Sequence, residues 1–313
     1  GWQRSRNGIT LGQIVRPVDR VGCYVPSGRY PLVSTLLMTA IPAQVAGVKS
    51  ICVVSPRPRP EMLAAASMLG ISEIYRIGGA QAIAALAYGT ETIPRVDKIV
   101  GPGNTYVTVA KKLVAFDCGI DFLAGPTEVI IVSDNGAAEF IAADLVAQAE
   151  HDPDALAVFV TTRPSLAVAV ARETKRLART NKIAADSLRR RGLVLVAGSR
   201  AQALEWANEI APEHITVAEG DIDKIRNAGS IFVGDYSPQS VGDYAAGPNH
   251  VLPTGGAARL RGGLNVLDFV KLISVQKLTR PALRRIAPVV ESLARTEGLT
   301  AHAESVRARC NHA

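Results

Sequence analysis

Short apolar runs alternate along the chain with longer alanine-rich segments whose apolar residues recur at helical spacing. Most short runs are continuous rather than alternating, which is typical of strands buried on both faces of a parallel sheet. The predicted strands are SICVVSP, EIYRIGG, KIVGPGN, EVIIVSDN, LAVFVTT, LVLVAG, HITVAE and SIFVGDYSP. The predicted helices are PEMLAAASMLG, AQAIAALAYG, NTYVTVAKKLVAF, AAEFIAADLVAQAEH, PSLAVAVARETKRLA and RAQALEWANEI. This order of strand and helix predicts an α/β fold with parallel sheets.

The loop AGPTE, at residues 124–128, separates two such sets of strands and helices. We therefore predict two Rossmann-like domains, the first over residues 1–126 and the second over residues 127–258. Neither carries the GxGxxG fingerprint of dinucleotide-binding folds. From about residue 256 the segments LNVLDFVKLISVQKL and PALRRIAPVVESLARTEGL are mostly helical in pattern, and they predict a C-terminal helical arm over residues 259–313.

Composition and charge narrow the classes of function. The chain has 313 residues, of which 48% are hydrophobic and 20% charged, which is ordinary globular composition and length enough for two cores. The net charge of +7 comes with short basic runs and only 5% aromatic residues, so we expect solvated helix faces rather than a nucleic-acid surface. No apolar run reaches about 18 residues, the start has no apolar leader, and the cysteines form no CxxC pair. We expect a cytoplasmic protein that does not cross a membrane.

Two pairs of residues with catalytic chemistry lie at the ends of predicted elements. Gln148 and His151 are three residues apart at the end of a predicted helix, so they share one face. A carboxamide oxygen and an imidazole there could hold a metal, although a surface histidine with a capping role is the more ordinary interpretation. Glu213 and His214 are adjacent at the start of a predicted strand. Such a pair suits general acid and base catalysis, because histidine titrates near neutral pH and burial raises the pKa of glutamate.

Two further acid–histidine pairs are Asp243 with His250, in DYAAGPNHVLPTGG, and Glu297 with His302, in EGLTAHAESV. On residues alone, His250 could simply cap a carbonyl in a turn. A set of Asp, His, His and Gln would form a nitrogen and oxygen site suited to zinc or manganese. Whether segments so far apart in sequence meet is left open. The glycine-rich turns RIGGAQA and GPGNTYV could also bind a dinucleotide at helix N-termini.

Eight segments together resemble the histidinol dehydrogenase family, in that family's order and over nearly the whole chain from about residue 16. They are VGCYVPSGRYP, IGGAQAIAALAYGT, VDKIVGPGNTYV, GIDFLAGPTEV, ADLVAQAEHDP, APEHITV, GDYAAGPNHVLPT and EGLTAHAESV. The resemblance implies a zinc-containing homodimer that oxidises L-histidinol to L-histidine in two NAD-dependent steps, the last steps of histidine biosynthesis. It also implies that further sequence precedes residue 1, so we expect the chain to be N-terminally incomplete.

The resemblance implies roles for individual residues. The implied zinc ligands, one ion per subunit, are Gln148, His151, Asp243 and His302. The implied acid and base are Glu213 and His214. The implied substrate contacts are Thr127, His250, Glu297 and Asp243. The implied NAD contacts are Tyr24, Pro26, Gln81 and Asn104. In such a dimer, Glu297 and His302 would reach the site of the other subunit.

The chain departs from the family pattern at three positions. Thr127 stands where many members have Ser, Ser27 where many have Gly, and Pro248 where many have Ser or Thr. Threonine keeps the hydroxyl, whereas Pro248 could shift the loop that carries His250. Two alternatives therefore stay open: a family relative that oxidises another small primary alcohol, such as a sulfonated diol, and an inactive zinc-binding fragment.

Overall fold

The computed structural model describes residues 1–27 and 32–311. Its strands are β1 (Trp2–Arg6), β2 (Ile9–Pro17), β3 (Arg20–Tyr24), β4 (Ser50–Val54), β5 (Glu73–Tyr75), β6 (Lys98–Val100), β7 (Gly119–Ile120), β8 (Glu128–Val132), β9 (Leu156–Thr161), β10 (Gly192–Val196), β11 (His214–Val217), β12 (Ser230–Val233) and β13 (Val270–Leu278). Its α-helices are α1 (Val33–Ala46), α2 (Pro60–Met68), α3 (Gly79–Tyr88), α4 (Thr105–Val114), α5 (Ala138–Ala149), α6 (Pro164–Leu177), α7 (Lys182–Arg191), α8 (Arg200–Ile210), α9 (Gln239–Tyr244), α10 (Arg280–Thr296) and α11 (Thr300–Asn311).

Contacts divide the chain into two compact units. The central unit is Val18–Phe269, and the terminal unit combines Gly1–Pro17 with the described part of Val270–Ala313. Among the helices of the described residues, none is long and apolar enough to cross a membrane. The predicted domain boundaries at residues 126 and 258 divide the chain differently from these contact-based units. The two predicted Rossmann-like domains stay a prediction.

The first sheet of the central unit has the strand order β5-β4-β3-β6-β7, and all its neighbouring strands are parallel. Alternate side chains of β3 enter cores on opposite faces: Cys23 packs in the core with α1 and α2, and Tyr24 in the core with α3 and α4. The chain leaves β3 toward one edge and returns through β6 on its other side. The loops after β3 and β6 therefore flank a topological switch point, where open α/β sheets bind ligands.

The second sheet has the order β10-β9-β8-β11-β12, again with parallel neighbours throughout. In β8, Ile130 belongs to the core with α8, and Ile131 to the core with α5 and α6. Both faces of this strand are covered, which is why its sequence is a continuous apolar run. The predicted α/β class is confirmed, and each of the eight predicted strands contains a strand of the structure.

The terminal unit corrects one prediction. The segment LNVLDFVKLISVQKL was expected to be helical, but it forms a short 3₁₀ turn at Val266–Phe269 and then β13. Along its whole length β13 pairs antiparallel with β2, in a sheet of order β1-β2-β13. Its β-branched residues and a partner strand from the far end of the sequence override the apparent helical spacing. The helices α10 and α11 follow, as the pattern predicts for the rest of this segment.

A hairpin between β1 and β2 is absent from the sequence-based prediction, although its signal is strong. Asn7 and Gly8 form the turn, with φ of 51° and 76°. Two consecutive residues with positive φ are characteristic of a type I′ turn, for which Asn-Gly is a preferred sequence. Arg6 and Ile9 are the first paired residues on either side.

Candidate active site

A cleft of about 240 Å³ in the central unit brings together six of the nine residues predicted for catalysis, metal binding and substrate binding. We call it the histidine cleft, because His151, His214 and His250 all line it. Its lining residues also include Thr127, Glu213 and Asp243. Sequence segments that are far apart meet here because β8 and β11 are neighbours in the second sheet.

The chain geometry before β11 places Glu213 and His214 in this cleft. Helix α8 ends at Ala211, which adopts a left-handed conformation with φ of 53°. The proline that follows has no backbone N–H and cannot extend the helix. His214 then begins β11, in register with Val129 of β8. The strand lies between β8 and β12, so its first residues are held on both sides.

Glu213 is a buried carboxyl with a strongly perturbed pKa. It is 7% exposed, and its Oε2 accepts hydrogen bonds from the Thr127 hydroxyl and, at 3.0 Å, from the Glu128 N–H. Burial raises the pKa of Glu213 to about 7, although both hydrogen bonds favour the ionised form. Near neutral pH the side chain therefore exists in both protonation states, which is what an acid–base catalyst requires.

His214 is held as a neutral imidazole with one free nitrogen. Its Nδ1 lies 3.2 Å from the Glu128 carbonyl oxygen and 3.5 Å from Glu213 Oε2. Burial lowers the pKa of His214, although nearby carboxylates oppose the change. Because the Glu128 carbonyl can only accept, the neutral ring donates through Nδ1. Its Nε2 then remains available to accept a proton.

Gln148 connects the end of α5 to the same carboxylate. Its Nε2 donates to the Thr127 hydroxyl oxygen, and the Thr127 hydroxyl donates to Glu213. The side chain of Gln148 is buried, and its carbonyl oxygen accepts no hydrogen bond from the described residues. A carboxamide binds a metal through this oxygen. Because the hydrogen bond to Thr127 uses the amide nitrogen, the Gln148 oxygen stays available as a metal ligand.

His250 and Asp243 also line the cleft and lie next to each other. His250 Nδ1 is 3.1 Å from the Asp243 backbone oxygen and 3.9 Å from its carboxylate Oδ1. Burial lowers the pKa of His250, while the Asp243 carboxylate favours the charged ring. His250 thus bonds a backbone carbonyl near the end of α9, a capping role like the one that the simpler interpretation expected, and it lines the cleft as well.

Glu297 and His302 are the two predicted site residues that do not belong to the central unit. Glu297 follows the last residue of α10 and His302 lies in α11, both in the terminal unit and both exposed. The residues that line the histidine cleft all belong to the central unit. Over residues 1–27 and 32–311, no three side chains of His, Cys, Asp or Glu are grouped so as to hold a metal ion. Glutamine is not one of these four residue types. By chemistry, zinc accepts each of three donors: the Gln148 carboxamide oxygen, a His151 nitrogen and the Asp243 carboxylate.

The predicted NAD contacts lie at the carboxyl edge of the first sheet. Tyr24 ends β3, and its hydroxyl accepts from the Gly79 N–H at 3.1 Å, at the start of α3. Pro26 follows in the same loop, and Gln81 lies in the first turn of α3. Asn104 caps α4 by accepting from the Val107 N–H at 3.1 Å. Glycine-rich turns and helix N-termini at this switch point are suited to a dinucleotide phosphate.

Sequence reasoning missed two residues that hold the AGPTE loop in place. The Glu128 backbone bonds both Glu213 and His214, and its side-chain Oε1 accepts from the Gly255 N–H at 3.1 Å. Its other oxygen is buried without a hydrogen bond among the described residues. Thr254 accepts from the Gly125 N–H at 2.5 Å. A glutamate at the start of a buried strand was the available signal.

Two parallel α/β sheets, one with a switch point suited to a nucleotide and one beside a buried Glu–His pair, fit the class of cofactor-dependent oxidoreductases. A family model described as histidinol dehydrogenase matches residues 1–310. The chain belongs to the histidinol dehydrogenase family. The predicted family and the prediction of a dehydrogenase are confirmed.

Individual relatives agree with this assignment. The chain is 50% identical over 318 residues to histidinol dehydrogenase of Methanocaldococcus jannaschii, an alignment that covers 97% of this chain and 74% of that protein. It is 49% identical to histidinol dehydrogenase of Methanothermobacter thermautotrophicus, over 99% of this chain and 76% of that one. The crystal structure of histidinol dehydrogenase from Elizabethkingia anophelis superposes with a TM-score of 0.94 at 39% identity, over 98% of this chain and 74% of that chain.

Proposed function

We propose that this protein oxidises L-histidinol to L-histidine in two NAD-dependent steps, in the histidine cleft, with zinc as a second cofactor. The observation that carries the proposal is the buried pair Glu213 and His214. Burial moves their pKa values in opposite directions, upward for the carboxyl and downward for the imidazole. Pairs of titratable groups with divergent pKa values are the usual acid and base of an enzyme.

His214 acts as the base in the first step. Its free Nε2 accepts the proton of the substrate hydroxyl, while its Nδ1 stays bonded to the Glu128 carbonyl. That bond orients the ring and fixes the tautomer. Bound NAD would supply the hydride acceptor for the reacting carbon in each step.

Glu213 acts in the second step, in which the aldehyde must add water before it is oxidised again. As a carboxylate, Glu213 removes a proton from the attacking water, and as a carboxylic acid it can return one. With a pKa of about 7, Glu213 can both accept and donate a proton at neutral pH. The Thr127 hydroxyl keeps Oε2 occupied, so Oε1 is the oxygen that faces the reaction.

The zinc donors that we propose from the central unit are Gln148, His151 and Asp243. His302 of a second copy would be the fourth ligand. Bound zinc would supply a Lewis acid that anchors the imidazole and amine of histidinol and so orients the reacting carbon. Manganese accepts the same donor types, so the ligand residues do not discriminate between zinc and manganese. Metal analysis of the purified protein distinguishes the two metals.

The remaining predicted residues complete the proposal. We assign Thr127, His250 and Asp243, with Glu297 of a second copy, to the substrate. We assign the dinucleotide to Tyr24, Pro26, Gln81 and Asn104. The use of a second copy makes the active species a homodimer, and we place it in the cytoplasm.

The decisive experiment follows NADH absorbance with purified, zinc-loaded protein, NAD and either L-histidinol or a sulfonated diol. We expect NADH only from histidinol, and we expect its loss on chelation and recovery on zinc addition. Gln148→Ala should lose zinc, whereas Gln202→Ala, a glutamine at the start of α8, should keep it. NADH from the diol but not from histidinol would overturn the substrate assignment.

A further inference from the structure

A buried ion pair holds the loop that carries Asn104, and none of the proposed catalytic steps uses it. Lys111 lies in α4 and is 2% exposed, and the Asp121 side chain, just after β7, is completely buried. The two side chains form a direct ion pair. Replacing such a pair by apolar residues is often neutral or stabilising, so stability alone gives little reason for charges at this position.

The pair closes around one peptide unit. Gly101 donates its N–H to Asp121 Oδ2 at 2.7 Å, and its carbonyl oxygen accepts from Lys111 Nζ at 3.0 Å. The other Asp121 oxygen also accepts from the Phe122 N–H at 2.6 Å. Both backbone polar atoms of Gly101 are thus bound by the two charged groups, which fixes the orientation of the loop as it leaves β6.

Gly101 lies directly against the end of β3. Its φ is +110°, and a Cβ built on it would lie 2.2 Å from the Tyr24 carbonyl oxygen. Only glycine allows this approach. The ion pair therefore holds the loop after β6 against the loop after β3, and these two loops flank the switch point of the first sheet. Tyr24, the last residue of β3, and Asn104, in the loop after β6, are two of the four proposed NAD contacts.

We propose that Lys111 and Asp121 are positioning residues for the dinucleotide. By holding Gly101, they keep Tyr24 and Asn104 at the separation that NAD requires, without touching the cofactor. This inference rests on the proposed NAD contacts. Preorganised binding residues lower the cost of ordering a site, so loss of the pair should weaken cofactor binding more than it changes the chemical step.

The test compares Lys111→Met with the double variant Lys111→Met plus Asp121→Asn. The single variant leaves a buried carboxylate without its cation and should lose stability. The double variant removes both charges and should recover most of that stability. If the pair positions the loop, the Kd for NADH, measured by fluorescence titration, rises about tenfold or more in both variants, and the KM for NAD rises with it while kcat changes little.

A matched control is Arg200→Met, which breaks an ion pair of the second sheet. Arg200 Nη2 is 2.6 Å from Asp221 Oδ2, and the Asp221 side chain is 8% exposed. Arg200 belongs to neither the histidine cleft nor the NAD contacts, so its loss should lower stability and leave the Kd for NADH unchanged. Thermal unfolding without ligands provides the stability of all four proteins.

The outcomes separate this inference from the proposed function. A raised Kd for NADH in both Lys111 variants, but not in Arg200→Met, supports it. Normal turnover of histidinol with an unchanged Kd in the double variant would overturn the positioning role and leave the enzyme assignment intact. If the unchanged protein itself binds no NADH, the proposed NAD contacts and this inference both fail.

Discussion

The stability of the protein should depend on pH through Glu213, and Glu213→Gln should remove this dependence. Burial raises the pKa of Glu213 from 4.5 to about 7, which at about 1.4 kcal/mol per pKa unit corresponds to about 3 kcal/mol. A carboxyl whose folded pKa exceeds its unfolded pKa binds more protons when folded. Its contribution to stability is therefore present below pH 4.5 and is lost as the pH rises to 7.

The assay is urea unfolding of metal-free protein at several pH values between 4.5 and 8.5. Relative to Glu213→Gln, the unchanged protein should lose up to about 3 kcal/mol of unfolding free energy across this range. Glu139→Gln is the matched control, because Glu139 is exposed in the first turn of α5. An equal pH dependence in the unchanged protein and in Glu213→Gln would refute the idea that this carboxyl is buried at a desolvation cost.

Three further predictions concern the catalytic base, the hydrogen-bond chain and the fold. His214→Asn should lower kcat about 100-fold or more while the KM for NAD stays constant, because a positioned base contributes at least that factor; steady-state kinetics measure both. Thr127→Val removes a hydrogen bond that favours the ionised form of Glu213, so the pH at which this carboxyl ionises in the rate profile should rise. A pH–rate profile that does not shift would contradict the hydrogen bond from Thr127 to Glu213. Asn181→Ala should cost about 1 kcal/mol without a kinetic effect, because Asn181 caps α7 by accepting from the N–H groups of Ile183 and Ala184; an unchanged unfolding midpoint would contradict the cap.

The parts of the fold that the sequence predicts are those encoded in local patterns. In the second sheet, β8 and β9 are continuous apolar runs, and their pattern alone predicts the burial that the structure shows. The pattern of β10 is similar, but this strand lies at the sheet edge and most of its side chains are exposed. By contrast, β13 could not be predicted in this way, because its partner β2 comes from the other end of the chain. The central strand β3 is absent from the predicted strands, and it contains Gly22. A Cβ at Gly22 would lie 2.9 Å from Leu86, so helix packing requires the glycine.

In the candidate site, too, some features follow from local sequence and others depend on segments that are far apart in the chain. Residue types and adjacency made Glu213 and His214 only a candidate pair, and the family resemblance implied their acid and base roles. The neighbouring positions of β8 and β11 bring the pair to Thr127. Lys111 was missed because the dipeptide Lys111–Lys112 reads as a solvated basic surface. Its position was nevertheless informative: Val107, Lys111 and Val114 have the spacing of one helix face, and all three are buried whereas Lys112 is exposed.

The number of NADH molecules formed per L-histidinol consumed tests the central claim most directly. In single-turnover experiments with excess zinc-loaded protein, the account predicts two NADH per histidinol and L-histidine as the product. Glu213→Gln should form the first NADH and stall before the second, because His214 remains intact. A single NADH from the unchanged protein, or equal yields from the unchanged protein and Glu213→Gln, would contradict the two-step role of this acid–base pair.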